Sequence, residues 1–180
     1  AFSGVKLDTE IVLPDNLEFL GESAFYESGL KGGLKIPNTI KEIKNNVFYG
    51  CKFTGNLVLP EGLLSIGNNA FYNSGFSGQL IIPEGVVRIG NSAFKNCCFT
   101  GQLVLPSNLQ YVGTDAFSFK PNTDYTITSG TLEFPDCVSE INLSSYPQNV
   151  SKIIFHAGVT KISGKTSGRH VKEVVCKSKI

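Results

Sequence analysis

Gly78-Gln-Leu-Ile-Ile-Pro83-Glu-Gly-Val-Val-Arg-Ile-Gly90-Asn-Ser-Ala-Phe94-Lys-Asn-Cys-Cys-Phe99-Thr100 is the stretch that decides the fold, because the chain then begins it again with Gly101-Gln-Leu-Val-Leu-Pro106. Pro14, Pro37, Pro60, Pro83 and Pro106 are each 23 residues apart. A fixed period of this length, held over five consecutive units, is the signature of a repeat architecture. Ala1-Phe2 matches the Ala-Phe of every unit, so the chain begins inside a repeat and the array is expected to continue upstream.

Each unit places apolar residues three and one before the proline, then three, six, ten and eleven after it. The alternation before the proline is a strand signal, and the proline ends the strand by removing a backbone donor. A second short strand carries pairs such as Leu63 with Ile66 and Val86 with Ile89. Gly67, Gly90 and Gly113 close it, and are read as a turn with positive φ. No 23-residue unit can bury this face alone, whereas stacked copies bury it against one another. Phe25, Phe48, Phe71, Phe94 and Phe117 are expected to form an inner aromatic column.

The expected fold is therefore mainly β: a right-handed solenoid of about seven turns of 21–29 residues, with short parallel strands and little α-helix. Residues 1–117 hold the regular repeats; 118–180 hold a six-residue insertion within Lys120 to Ser129, then degenerate repeats acting as a C-terminal cap. In that part the proline place passes to Pro135, His156 and Lys177, while Leu132, Phe134 and Ile141, then Ile153 and Phe155, then Val171, Val174 and Cys176 keep the apolar frame.

Composition narrows the function. Sixteen Lys and Arg stand against fifteen Asp and Glu in 180 residues, too even a balance for a nucleic-acid-binding surface. Apolar runs fall short of the roughly 18 residues of a membrane-inserted span. Lacking Met, the chain reads as a piece of something longer.

The run from Gly78 to Cys97 resembles the BspA-like (Treponema pallidum-type) leucine-rich repeats, well over residues 1–117 and weakly over 130–180. The resemblance implies a curved solenoid, secreted or at the cell surface of host-associated microbes. It also implies adhesion through host extracellular-matrix or cell-surface proteins. No residue here independently carries that location.

The residue two before each proline should point away from the core: Val12, Lys35, Val58, Ile81, Val104, Glu133 and Ile154. Stacked, Val58, Ile81 and Val104 make an apolar stripe beside the polar column Asn56, Gln79 and Gln102, a candidate contact surface for a protein partner. The plainer reading is that β-branched residues suit strands. Tyr26, Tyr49 and Tyr72 form a second column, either a packing ladder or a glycan-binding platform. Leu64, Val87 and Tyr111 are read as one position on the second strand. Asn45, Asn46, Asn68, Asn69 and Asn91 sit in the turn after the glycine as turn formers.

Catalytic and metal chemistry find no footing. His156 and His170 have no ligand spacing, and no C-x-x-C, G-x-S-x-G or phosphate-binding glycine loop occurs. The five cysteines include Cys51 and Cys97 at one repeat position two turns apart, too far for a disulfide, so they read as small core residues. Cys98 adjoins Cys97, and Cys176 takes a core position. Asn142-Leu-Ser144 and Asn149-Val-Ser151 fit the weak N-glycosylation pattern. No catalytic residue, metal ligand or cofactor is assigned; the expected role is protein binding, with glycan binding or a structural spacer as the alternative.

Overall fold

The computed structural model describes residues 1–100, 103–120, 131–134, 140–143, 152–155, 157–164 and 171–177. Gln102, Cys137, His156, His170, the insertion at 121–130, Ser144 of the first glycosylation pattern and the whole of the second lie outside them. The described chain is a parallel β-solenoid with no α-helix. At the 23-residue period it comes to about five turns, fewer than the seven expected. Beyond Phe117 strand pairing runs at an offset of 21, as in Leu132↔Ile153 and Ile141↔Ile162, the spacing expected from Pro135, His156 and Lys177.

The second strand of the repeat builds the continuous sheet: β2 (Glu42–Ile43), β4 (Ser65–Ile66), β5 (Arg88–Ile89) and β6 (Tyr111–Val112) pair in parallel and in register. Among the described residues of the 23-residue turns, the strand before the proline is paired in β1 (Leu34–Lys35) and β3 (Leu57–Val58). Beyond Phe117, β7 (Thr131–Glu133), β9 (Lys152–Phe155) and β11 (Glu173–Cys176) form one sheet, and β8 (Glu140–Asn142) with β10 (Lys161–Ser163) another.

The core is stacked by repeat position. Neighbouring rings of Phe25, Phe48, Phe71, Phe94 and Phe117 lie 5.3–5.8 Å apart and nearly parallel. A second column of Phe53, Phe76 and Phe99 meets the first edge-on at 5.8–5.9 Å, the attractive arrangement for ring quadrupoles. Between them runs a buried polar column at one repeat position: Ser28, Cys51, Ser74 and Cys97. Its hydroxyls and thiols donate to the phenylalanine carbonyls of the turn before: Cys51 Sγ to Phe25 O at 3.1 Å, Ser74 Oγ to Phe48 O at 2.5 Å, and Cys97 Sγ to Phe71 O at 3.0 Å. The cysteines are buried as expected, yet they act as weak donors that satisfy buried carbonyls as serine does.

The glycines differ from expectation. Gly67, Gly90 and Gly113 do not have positive φ; that conformation falls two residues later, at Asn46, Asn69, Ser92 and Asp115. What requires glycine is proximity. A Cβ on Gly90 would stand 2.5 Å from the Asn68 nitrogen, and one on Gly67 2.7 Å from that of Asn45. The asparagines divide the work accordingly. Asn46 and Asn69 take the left-handed conformation that asparagine tolerates. Asn45, Asn68 and Asn91 instead accept the N–H of Asn68, Asn91 and Thr114 in the next turn, at 2.8, 2.8 and 2.9 Å.

Two side chains in the C-terminal turns invert the expected pattern. Ile154 is 8% exposed although its position faces outward in the regular turns, and it sits on the central strand between β7 and β11. Val174 and Cys176 occupy core positions but are exposed, because among the described residues β11 pairs with β9 alone and nothing covers its other side.

Candidate functional site

The side chains of Val58, Ile81 and Val104 are 51, 67 and 54% exposed, the consequence of buried neighbours on either side: Leu57 and Leu59, Leu80 and Ile82, and Leu103 beside Val104. A strand alternates faces, so fixing those leucines in the core fixes the stripe outward. Lys35, registered with Val58 across β1 and β3, replaces the stripe's aliphatic residue with a cation one turn away. Asn56 and Gln79 are exposed beside the stripe as expected, whereas Gln102 falls outside the described residues.

Val58, Ile81 and Val104 line a shallow open groove of about 470 Å³, together with Gln79, Glu61 and Glu84. The two glutamates occupy the position after the proline in consecutive turns and were not singled out by the sequence pattern. Glu84 accepts hydrogen bonds from the Ser107 N–H and hydroxyl at 3.0 and 2.9 Å. The groove is thus an aliphatic floor with a carboxylate edge, suited to a side chain or segment of another molecule.

Tyr26, Tyr49 and Tyr72 do stack, with ring centroids 4.6 and 4.7 Å apart and planes within 8°. Tyr49 therefore has both ring faces covered by its neighbours, which leaves edges and hydroxyls rather than faces for a ligand. Burial, then the neighbouring phenols, pushes the Tyr49 hydroxyl above its ordinary value. The column ends at Lys95, whose ammonium pairs with Asp115 at 2.7 Å, while Asn96 Nδ2 donates to the Tyr72 hydroxyl at 3.5 Å. A second groove, of about 640 Å³ and mixed charge, opens beside Tyr49 between Lys6, Asp8, Glu27, Lys52 and Asn73.

On the other face, Tyr111 does not share a position with Leu64 and Val87. It pairs in register with Arg88, whose guanidinium lies 4.0 Å from the ring centre, a cation–π contact. The residue equivalent to Leu64 and Val87 is Gln110, one position earlier.

Among the described residues, no three His, Cys, Asp or Glu side chains gather where a metal ion would sit. The Cys97 thiol is pushed up to about 12 by burial, so it is protonated and no nucleophile at neutral pH. Among the described residues no helix is long and apolar enough to cross a membrane.

The model of the BspA type leucine rich repeat region matches the chain in six copies, over residues 1–97, 32–138 and 79–167. No curated protein matches the sequence. Among solved structures, a leucine-rich repeat protein from Bacteroides ovatus is similar, with a TM-score of 0.49 and 22% identity over 93% of this chain. A leucine rich cell surface protein from Faecalibacterium prausnitzii is similar with a TM-score of 0.47 and 16% identity over 90% of this chain. The chain spans 60% and 59% of the length of those two proteins.

Proposed function

The chain belongs to the BspA-type leucine-rich repeat family, and on that premise we propose that it is a non-enzymatic module for protein–protein contact, used in adhesion at a microbial cell surface. One observation carries this reading: three consecutive turns present Val58, Ile81 and Val104 at the same outward position over a continuous buried core. A rigid scaffold holds such a surface in place before the partner arrives, which lowers the ordering cost of binding. Asn56 and Gln79 form its polar border, the arrangement of an apolar centre with a hydrogen-bonding rim.

Substituting Val58→Lys, Ile81→Lys and Val104→Lys together tests the proposal against a panel of immobilised extracellular-matrix proteins. All three side chains point into solvent, so the far-UV circular dichroism and the unfolding midpoint are expected to stay unchanged. Binding to whichever matrix protein the unsubstituted chain holds is expected to fall by at least about tenfold, the effect of losing about 1.4 kcal/mol at a contact centre. Undiminished binding by the folded variant would place the contact elsewhere. Glycan binding is the weaker reading, since the tyrosine ring faces are turned on one another.

A further inference from the structure

The groove over the stripe is one-sided in charge. Among the described residues its lining contains the carboxylates of Glu61 and Glu84 and no lysine, arginine or histidine; the nearest cations stand outside it, Lys35 in register with Val58 and the Lys41 ammonium against Gly62. Both glutamates are exposed, and they stand in adjacent turns, roughly 5 Å apart along the stack. Glu84 is partly engaged by Ser107, but the Glu61 side chain has no hydrogen-bond or ion-pair partner among the described residues. The aliphatic floor from Val58 to Val104 covers two turns, roughly 10 Å. Same-face side chains of an extended chain recur at about 7 Å, so two of them span that floor.

Resting on the reading of this stripe as the contact surface, we infer that the groove takes an extended segment of a partner protein in which aliphatic side chains alternate with lysine or arginine. The aliphatic side chains cover Val58, Ile81 and Val104, and the alternating cations, which leave the segment on its opposite face, bend their long stems back over the rim to Glu61 and Glu84. An acidic or purely polar segment gains neither term: the first meets like charge at the rim, and the second leaves the floor wet.

Fluorescence anisotropy with the full chain and three labelled hexapeptides tests this: Lys-Val-Lys-Val-Lys-Val, Glu-Val-Glu-Val-Glu-Val and Lys-Ser-Lys-Ser-Lys-Ser. The Lys-Val peptide is expected to bind best, and to weaken when salt is raised to about 0.5 M. Glu61→Gln with Glu84→Gln is expected to weaken it about fivefold, two exposed charge pairs of ordinary strength. The glutamine at 84 keeps an acceptor for Ser107. Equal binding of the Lys-Val and Lys-Ser peptides would overturn the inference, as would binding of none of the three at about 1 mM. Equal binding of the Lys-Val and Glu-Val peptides, both lost on Val58→Ser, Ile81→Ser and Val104→Ser, would overturn it while leaving the stripe as the contact surface. Binding that survives that neutral triple substitution would remove both readings.

Discussion

Phe71→Ala is expected to lower the free energy of unfolding by about 3–5 kcal/mol, the range for emptying a fully buried aromatic site. Phe71 is fully buried, with the Phe48 and Phe94 rings stacked on its two faces at 5.6 and 5.3 Å and the Phe76 ring against its edge at 5.8 Å. Removing it takes a stacked ring from two turn-to-turn interfaces at once. In a stack held by nearest-neighbour interfaces, that is where cooperativity breaks first. Urea unfolding followed by circular dichroism is expected to show a lower midpoint, with the loss smaller for Phe71→Leu, which refills part of the space. A cost below about 1 kcal/mol for the alanine variant would mean that the column is not continuous there.

Gly90→Ala is expected to cost about 1–3 kcal/mol, the price of overpacking, although its φ suits any residue. The added methyl would meet the Asn68 nitrogen at 2.5 Å and the Gly67 carbonyl carbon at 2.6 Å, backbone atoms that cannot swing aside. The two turns must separate, straining the Gly90 N–H bond to the Ile66 carbonyl at 2.8 Å and the Asn91 N–H bond to Asn68 Oδ1. Gly21→Ala, at the same repeat position in the first turn, is the control. Its methyl would find only a Phe19 ring carbon at 3.6 Å, so its unfolding midpoint is expected to hold or rise slightly. Lys44 shows how a side chain is accepted at this position: its N–H makes no bond to the preceding turn among the described residues, unlike those of Gly67, Gly90 and Gly113. Equal effects of the two alanine substitutions would refute the close approach as the reason for glycine.

These two residues show what the sequence could disclose. The period places Phe71 and Val58 on opposite sides of the wall, because in-register stacking turns a repeat position into a column and alternation assigns its face. Gly90 was correctly read as a special position but for the wrong reason, since the distance to the turn beneath exists only once the turns are stacked. The Ser28, Cys51, Ser74 and Cys97 column carried a legible signal: serine and cysteine alternate at one position. Treating the cysteines as merely small and apolar hid their shared hydrogen bond to a carbonyl. Ile154 and Val174 mark where the columns stop deciding exposure, because near a sheet edge it depends on how many neighbours remain. The acidic rim of the groove was missed for a related reason. Glu61 and Glu84 occupy a position that varies among Asp, Asn, Glu and Ser from turn to turn, so the repeat consensus averaged them away.

The in-register stack is the central claim, and pairwise cross-linking tests it most directly. In a background with all five cysteines replaced by serine, Lys35→Cys with Val58→Cys puts two thiols at registered positions of adjacent parallel strands. Their Cα atoms then lie about 5 Å apart, within the range a disulfide bridges. Mild oxidation is expected to join them nearly completely. Lys35→Cys with Ile81→Cys, two turns apart at roughly 10 Å, is expected to stay reduced. Failure of the first pair to close, or equal closure of both, would contradict the stack and with it the stripe that depends on it.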